Sequence, residues 1–273
     1  MATVIAAERV TRPVDALVHA AWQRAGMPAV SVRLHSTIPI GAGLGGSSAA
    51  GVALAAALAA WNGITHSPHD LAELSRSTEI ETLGVAGGCQ DHYAAAYGGA
   101  LLLGCAAETT AHPIVLQDAT VAEFELRAMI AYTGESRMSS RTITAVLDAY
   151  RAGEAQTCDA LATMAGLAPD MAAALHDGDI DHLGALLQRQ WAAQRALHPS
   201  ITTALLDRLV AEVTAAGALG AKALGASGGG CVLVIARADR VQQVRSAIEP
   251  LATLLPLRIA RRGVQVHANG GNA

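Results

Sequence analysis

A stretch rich in glycine and serine could bind phosphate through its backbone. It reads GAGLGGSS over residues 41–48 and leads into an uncharged segment of mostly alanine and leucine that extends to Trp61. Glycines followed by hydroxyl side chains at the start of a helix present several free backbone N–H groups. These groups and the positive end of the helix dipole attract anions. The stretch therefore predicts a phosphate-binding loop.

Two common phosphate-binding motifs do not fit this loop. Gly41, Gly43 and Gly46 satisfy the G-x-G-x-x-G pattern of dinucleotide-binding folds, but that pattern requires an acidic residue about 20 positions later. No Asp or Glu occurs between residues 15 and 70. The P-loop of ATPases ends in Gly-Lys-Ser/Thr, whereas the only lysine of this chain is Lys222. The remaining interpretation is a loop in which backbone amides and a serine hydroxyl bind phosphate without a lysine.

Asp91 is the first candidate for proton transfer. It follows Gly87 and Gly88, and it lies between the first glycine loop and a second one at residues 225–230. This position favours a role in phosphoryl transfer, where a carboxylate orients the attacking hydroxyl. Taken alone, however, an aspartate in front of an alanine run caps a helix.

Hydrophobic periodicity indicates the elements that must position these groups. A helix ending near Gly26 and a strand over Val30–Leu34 precede the first loop. Helices are predicted at 47–61 and from 67 to a stop near Gly84, and a strand at 100–103. The second half predicts helices and then strands around the second glycine loop. Its helices are expected at 139–151, 157–176, 180–197, 200–216 and 238–249, and its strands at 231–236 and 257–267.

Composition narrows the class of protein. The 273 residues are 52% hydrophobic but only 3% aromatic, so the core must consist of Ala, Leu, Val and Ile. A net charge of −4 argues against general nucleic-acid binding. The uncharged segment after the first loop is short and weakly apolar, which favours a buried helix over a membrane span. The four cysteines show no C-x-x-C pairing and, without a signal pattern, indicate reduced thiols in a cytoplasmic protein. They are Cys89, Cys105, Cys158 and Cys231.

Three motifs in order resemble those of the GHMP kinases (galacto-, homoserine, mevalonate and phosphomevalonate kinases). The first glycine loop is similar to their second signature motif, and residues 225–230 are similar to their third. Between them, the sequence GGCQDHYAAAYGG at residues 87–99 resembles the sugar-kinase branch, most closely the D-glycero-D-manno-heptose 7-phosphate kinases. The resemblance extends from about residue 30 to about residue 270.

The resemblance implies an α+β, two-domain GHMP kinase fold. An N-terminal α/β domain of the ribosomal-protein-S5-like type is expected over residues 1–125, and a C-terminal ferredoxin-like α+β sandwich over residues 126–273. Relatives carry a first motif of the Pro-x-Arg/Lys type before the phosphate loop, and nothing like it occurs in residues 1–37. We therefore expect an N-terminally shortened member of the family. Either the start codon is set too far downstream, or the protein is naturally short.

The resemblance also implies that the protein uses ATP and Mg²⁺. Ser47, with Ser48 as the alternative, would supply a hydroxyl to the metal, and Glu79 would supply a carboxylate because it precedes Asp91 by the family's spacing. Glu81 faces another direction on the same helix and would be solvated. Asp91 would accept the proton of the acceptor hydroxyl. The expected ATP-binding residues are Gly41, Gly43, Leu44, Gly45, Gly46, Ser47, Ser48, Gly228 and Gly229.

The acceptor implied by the resemblance is a sugar or sugar-phosphate hydroxyl, most simply the anomeric one. His92, Tyr93, Arg137 and Ser227 are the candidates to contact it, although Arg137 could equally lie on a surface helix. A fucose-, galactose- or mevalonate-type acceptor and a catalytically silent nucleotide- or sugar-binding protein remain alternatives. No nucleic acid and no membrane is expected as a partner, and the resemblance leaves a homodimer open.

Overall fold

The structure, a computed structural model, describes residues 2–6, 16–26, 30–39, 41–84, 87–135 and 140–267. The chain packs as two compact units, each discontinuous in sequence. The first unit holds residues 1–38, 45–111 and 260–273, and the second holds residues 39–44 and 112–259. The contiguous domain boundary expected at 125/126 stays a prediction.

The first unit combines helices with two short sheets. Its predicted helices and strands occur in the expected order, whereas the strands Ala2–Ala6 and Thr109–Ile114 were not predicted. Strands β1 and β2 pair antiparallel, and β3 pairs with β4, whose last residues enter the second unit. The elements are β1 (Ala2–Ala6), α1 (Ala16–Arg24), β2 (Val30–Leu34), α2 (Gly46–Trp61), α3 (Pro68–Ser77), α4 (Gln90–Tyr97), β3 (Ala100–Cys105) and β4 (Thr109–Ile114).

Helix α2 lies at the centre of the first unit because it is apolar on two sides. Leu54 and Leu58 pack against α1 in one buried cluster, whereas Val52 packs against α3 and α4 in another. Small residues let the neighbouring helices come close. A side chain at Gly51 would collide with the hydroxyl of Ser75 on α3. This close approach fixes α3 against the first turns of α2.

The start of α3 is set by local chemistry, as its sequence predicts. The hydroxyl of Ser67 accepts a hydrogen bond from the Asp70 backbone N–H at 3.1 Å, and the Asp70 carboxylate accepts one from the Ser67 N–H at 3.2 Å. Pro68 occupies the first turn, where its missing N–H costs nothing. After Ser77 the helix widens into a single π-helical turn, Thr78–Thr82.

The second unit is built on a four-stranded antiparallel sheet covered by helices. Its elements are α5 (Asp118–Arg127), β5 (Ala128–Tyr132), α6 (Ser140–Arg151), α7 (Ala155–Asp177), α8 (Ile180–Ala196), α9 (Ala204–Ala215), β6 (Ala218–Ala223), β7 (Cys231–Ala236), α10 (Val241–Ile248) and β8 (Thr253–Leu255).

The strand order of this sheet is β6-β7-β5-β8. Numbered by their order within the unit, the strands lie 2-3-1-4, which is the ferredoxin-like arrangement expected from the resemblance. Val232 and Val234 of β7 are fully buried. They form the main core with Leu206, Leu209 and Val213 of α9. The mixed α/β architecture with two domains is therefore confirmed.

The last predicted strand is wrong in position. Residues 257–267 run as irregular chain, and the strand that completes the sheet is β8, which is only three residues long. Residues 257–259 and 264–267 alternate apolar and polar side chains, but the strand that pairs with β5 is β8, which places Leu254 opposite Ala131. Within the described residues, no helix is both long enough and apolar enough to cross a membrane.

Candidate active site

The first glycine loop adopts backbone conformations that suit anion binding. Gly41, Gly43 and Gly45 have positive φ angles of 73°, 74° and 65°, a conformation that glycine adopts without steric cost. Alternation of such residues with ordinary ones turns successive N–H groups toward one side of the chain. Helix α2 then begins at Gly46, and Gly45, its N-cap residue, has no side chain to cap the free N–H groups. The loop thus presents uncapped donors at the positive end of a 16-residue helix.

At two of these glycines, a neighbouring residue also leaves no room for a side chain. In the second unit, a Cβ at Gly43 would lie 2.9 Å from the carbonyl oxygen of Leu224. In the first unit, a Cβ at Gly45 would lie 2.9 Å from both Cβ and Cγ of Asp91. The candidate base therefore lies directly against the N-terminus of α2, as the sequence motifs predict.

Ser47 and Glu79 meet in the structure although 32 residues separate them in sequence. The Ser47 hydroxyl donates a hydrogen bond of 2.9 Å to Oε1 of Glu79. Glu79 lies in the π-helical turn that follows α3, and turns of this kind are frequent at functional sites. Its neighbour Glu81 is exposed and pairs with Arg24. Of the two glutamates, Glu79 is the one aimed at the phosphate loop.

His92 joins the same cluster from α4. Its Nε2 lies 3.1 Å from Oε2 of Glu79 and 3.3 Å from the hydroxyl of Ser48. Its Nδ1 lies 2.9 Å from the hydroxyl of Ser75. The ring is only 2% exposed, so these protein groups occupy both of its nitrogens. His92 therefore ties α2, α3 and the Glu79 carboxylate together.

The pKa values of the two carboxylates in the site are shifted in opposite directions. The hydrogen bond from His92 is the main cause that lowers the pKa of Glu79, and the hydroxyl of Ser47 adds to it. Burial is the main cause that raises the pKa of Asp91, and the charge of Glu79 raises it further. Glu79 is thus held ionised, as a metal ligand must be, while Asp91 is a stronger base than an ordinary aspartate.

The donor atoms at Ser47 and Glu79 fit Mg²⁺. Both are hard oxygen donors, and Mg²⁺ is commonly held by one or two protein ligands, with substrate phosphates and water completing its shell. The described residues contain no cluster of three or more His, Cys, Asp or Glu side chains that could hold a metal by themselves. A metal at this place would therefore depend on phosphate ligands.

Tyr93 is fully buried on the other side of α4. Its hydroxyl donates to Oε1 of Glu73 at 2.8 Å and lies 3.2 Å from Nδ1 of His69. Arg76 completes the group with hydrogen bonds to the same glutamate. The predicted contacts of His92 and Tyr93 with substrate stay predictions. The observed contacts of both side chains hold α4 to α3.

The second glycine loop is tied to its own unit by backbone and side-chain bonds. The N–H of Gly228 donates to the carbonyl of Ile201 at 2.9 Å, and the hydroxyl of Ser227 donates to the same carbonyl. A Cβ at Gly229 would lie 3.0 Å from the carbonyl oxygen of Glu135. The nucleotide role of Gly228 and Gly229 and the substrate role of Ser227 stay predictions. Arg137 lies outside the described residues.

Leu44 differs from its neighbours in the first loop because its side chain is apolar. It packs in a small cluster around Ala42, Ile130 and Cys231 of the second unit. The Cys231 N–H also donates to the carbonyl of Ala42 at 2.9 Å. Leu44 and Ala42 thus hold this part of the loop in place while the glycines provide the backbone conformation.

Sequence reasoning missed Ser75, which orients His92. One signal was present, because Ser75 is a polar residue on the buried face of α3 with Leu71 and Leu74. A buried hydroxyl needs a partner, but the sequence could not identify that partner as the imidazole of His92, 17 residues away.

Family profiles match both the N-terminal and the C-terminal part of the chain. The profile for the GHMP kinases N terminal domain matches residues 9–99, and the profile for the GHMP kinases C terminal domain matches residues 171–251. A D-glycero-alpha-D-manno-heptose 7-phosphate kinase of Campylobacter jejuni is 27% identical over 205 residues, which are 73% of this chain and 59% of the relative. A mevalonate kinase of Thermococcus sibiricus is 31% identical over 244 residues, which are 87% of this chain and 69% of the relative.

The fold also agrees with solved structures. A D-glycero-D-manno-heptose 1-phosphate kinase from Bacteroides thetaiotaomicron superimposes with a TM-score of 0.74 at 20% identity, covering 98% of this chain and 87% of the other. The chain spans 59% of the length of the Campylobacter relative. The chain belongs to the GHMP kinase family.

Proposed function

We propose that the protein is an ATP- and Mg²⁺-dependent kinase that phosphorylates a hydroxyl group of a sugar or sugar phosphate. The observation that carries this proposal is the position of Asp91, whose Cβ and Cγ would lie 2.9 Å from a side chain at Gly45. A base of raised pKa at the uncapped start of a helix is suited to phosphoryl transfer, in which positioning and charge neutralisation provide most of the rate.

Each residue of the cluster has a distinct task in this proposal. The N–H groups that begin at Gly45 bind the phosphates of ATP, and the α2 dipole contributes about half a positive charge. Mg²⁺, when bound, neutralises the charge on the phosphate oxygens. Ser47 and Glu79 would hold it. Asp91 orients the acceptor hydroxyl and takes its proton at a carboxylate oxygen.

Similarity to the heptose phosphate kinases supports a sugar-phosphate acceptor, such as a heptose 7-phosphate. A mevalonate-type acceptor is the second candidate. It is favoured by identities of 28–31% to archaeal mevalonate kinases, which match over a larger share of this chain. The segment around Asp91 favours the sugar branch, because it carries the residues Gln90, His92 and Tyr93 of the motif that resembles it.

A substrate panel distinguishes the candidates. The full chain is incubated with Mg-ATP and heptose 7-phosphates, fucose, galactose, mevalonate or homoserine, and phosphorylated products are measured by mass spectrometry. Product from a sugar phosphate, abolished by Asp91→Ala, is the expected result. Product from mevalonate alone would move the acceptor to the second candidate. If the folded protein bound ATP but phosphorylated no acceptor, a catalytically silent binding protein would replace the proposal.

A further inference from the structure

Two free cysteines lie side by side next to the helix that carries Asp91. The Sγ atoms of Cys89 and Cys105 are 3.3 Å apart, although the residues are 16 positions apart in sequence. Cys89 immediately precedes α4, and Cys105 ends β3. Only two glycines join α4 to β3, so the strand returns along the helix. Its last residue reaches the start of the helix.

The surroundings of the pair favour oxidation chemistry. Cys105 is exposed and Cys89 is half-buried. The guanidinium of Arg76 interacts electrostatically with Cys89. Partial desolvation of its thiol and the hydrogen bond with Cys89 raise the pKa of Cys105 to about 11, and either sulfur can be the donor of that bond. Reactive cysteines typically lie in electropositive, partly exposed surroundings of this kind.

We propose that Cys89 and Cys105 are a modification site at which a peroxide or a low-molecular-weight disulfide joins the two thiols into one intramolecular disulfide. With hydrogen peroxide, the Cys89 thiolate attacks one oxygen, the O–O bond breaks, and the departing hydroxide takes a proton to become water. Cys105 then attacks the sulfur of the Cys89 sulfenic acid. The S–S bond forms, and the hydroxyl group leaves with the Cys105 proton as a second water. The thiols lose two electrons, which the peroxide gains. With a low-molecular-weight disulfide, the Cys89 thiolate attacks one of its sulfurs, the S–S bond breaks, and one small thiol leaves. Cys105 then attacks the Cys89 sulfur of the mixed disulfide and releases the second small thiol, so the oxidant gains the same two electrons.

Bond formation must draw the two sulfurs together beside the start of α4. A disulfide holds its sulfurs about 2.05 Å apart, so the pair must close by about 1.3 Å from its observed 3.3 Å. Asp91 lies two residues after Cys89. Displacement of a catalytic group by about 1 Å can lower turnover on the order of 100-fold. This consequence, unlike the bond itself, rests on the proposed kinase function.

The bond is tested chemically on the full chain. Reduced protein is treated with hydrogen peroxide or oxidised glutathione, unfolded, alkylated, and digested with chymotrypsin, which cleaves at Tyr93 and Tyr97 between the two cysteines. Trypsin cannot separate them, because neither Lys nor Arg occurs between Arg76 and Arg127. The expected result is a linked pair of peptides containing Cys89 and Cys105, lost on treatment with dithiothreitol.

Two variants provide the controls. Cys158→Ser removes a cysteine outside the pair and should form the same bond, whereas Cys105→Ser should not form it. Alkylation of both Cys89 and Cys105 after oxidation, or a bond to another cysteine, would overturn the modification site whatever the protein phosphorylates.

Turnover of the accepted substrate is then compared before oxidation, after oxidation and after reduction. We expect a loss of about 10- to 100-fold that dithiothreitol reverses, in wild type and Cys158→Ser but not in Cys105→Ser. A mapped disulfide with unchanged turnover would refute the coupling to α4. Absence of turnover in the reduced protein would count against the proposed function and leave the mapped bond standing.

Discussion

The contact between Gly45 and Asp91 can be tested by adding a single methyl group. Gly45→Ala places a Cβ 2.9 Å from Cβ and Cγ of Asp91, whereas carbon atoms in contact prefer about 3.5–4.0 Å. The aspartate or the loop must therefore move by roughly 0.6–1 Å. Because the α2 N-terminus and the base must stay aligned, turnover should fall about 10- to 100-fold.

The substitution also strains the backbone. Gly45 has φ +65° and ψ +24°, and a left-handed conformation costs a non-glycine residue about 1–2 kcal/mol. In a chain of this size that corresponds to a fall in Tm of roughly 2–8 °C. Thermal unfolding therefore measures the strain, while phosphoryl transfer at saturating Mg-ATP measures the displacement of Asp91.

Gly63→Ala is the matched control. Gly63 has φ +70°, and a Cβ there meets no atom within 4 Å. This variant should show the same loss of stability and keep wild-type turnover. If Gly45→Ala kept its turnover while losing as much stability as Gly63→Ala, the inferred alignment of Asp91 with the phosphate loop would be refuted.

Three further predictions concern the side chains around Asp91. Burial raises the pKa of Asp91 above its ordinary 3.8. The folded protein therefore binds this proton more tightly than the unfolded chain does. Ionisation of the carboxylate lowers the free energy of unfolding as pH rises from the unfolded-state pKa through the folded-state pKa. Asp91→Asn should abolish turnover yet raise Tm at pH 7, with the gain vanishing below about pH 3.8; an unchanged or lower Tm at pH 7 would contradict the pKa direction. His92→Phe should cost about 2–4 kcal/mol in denaturant unfolding, because Oε2 of Glu79 and the hydroxyls of Ser48 and Ser75 lose the imidazole as a partner. It should also weaken calorimetric ATP binding more with Mg²⁺ than without, whereas His92→Gln should restore part of both. Tyr93→Phe should cost about 1–3 kcal/mol by removing the donor to Oε1 of Glu73, and kinetics should show unchanged turnover; a large loss of turnover would mean that Tyr93 contacts substrate.

Local sequence patterns predicted those helices and strands whose ends are set by residues of the same segment. Helix α2 was expected at 47–61 and occupies Gly46–Trp61, because the glycine loop ends where the alanine and leucine run begins. Strand β7 coincides with the predicted 231–236, since an apolar run that follows glycines and ends before Arg237 is typical of a buried strand. The short strand β8 was missed because pairing with β5, and not its own pattern, makes it a strand.

The sequence by itself determined the chemistry available to this protein. Glycines at positions requiring positive φ, hydroxyls at a helix start, and Asp91 between two such loops are local features, and their order identifies the family. Only the tertiary structure decided which of these groups meet. It joined Ser47 to Glu79 across 32 residues and His92 to Ser48 across 44, and it brought Cys89 to Cys105. Spacing along a chain fixes the face of a helix, but contacts between helices depend on how closely small residues such as Gly51 let them pack.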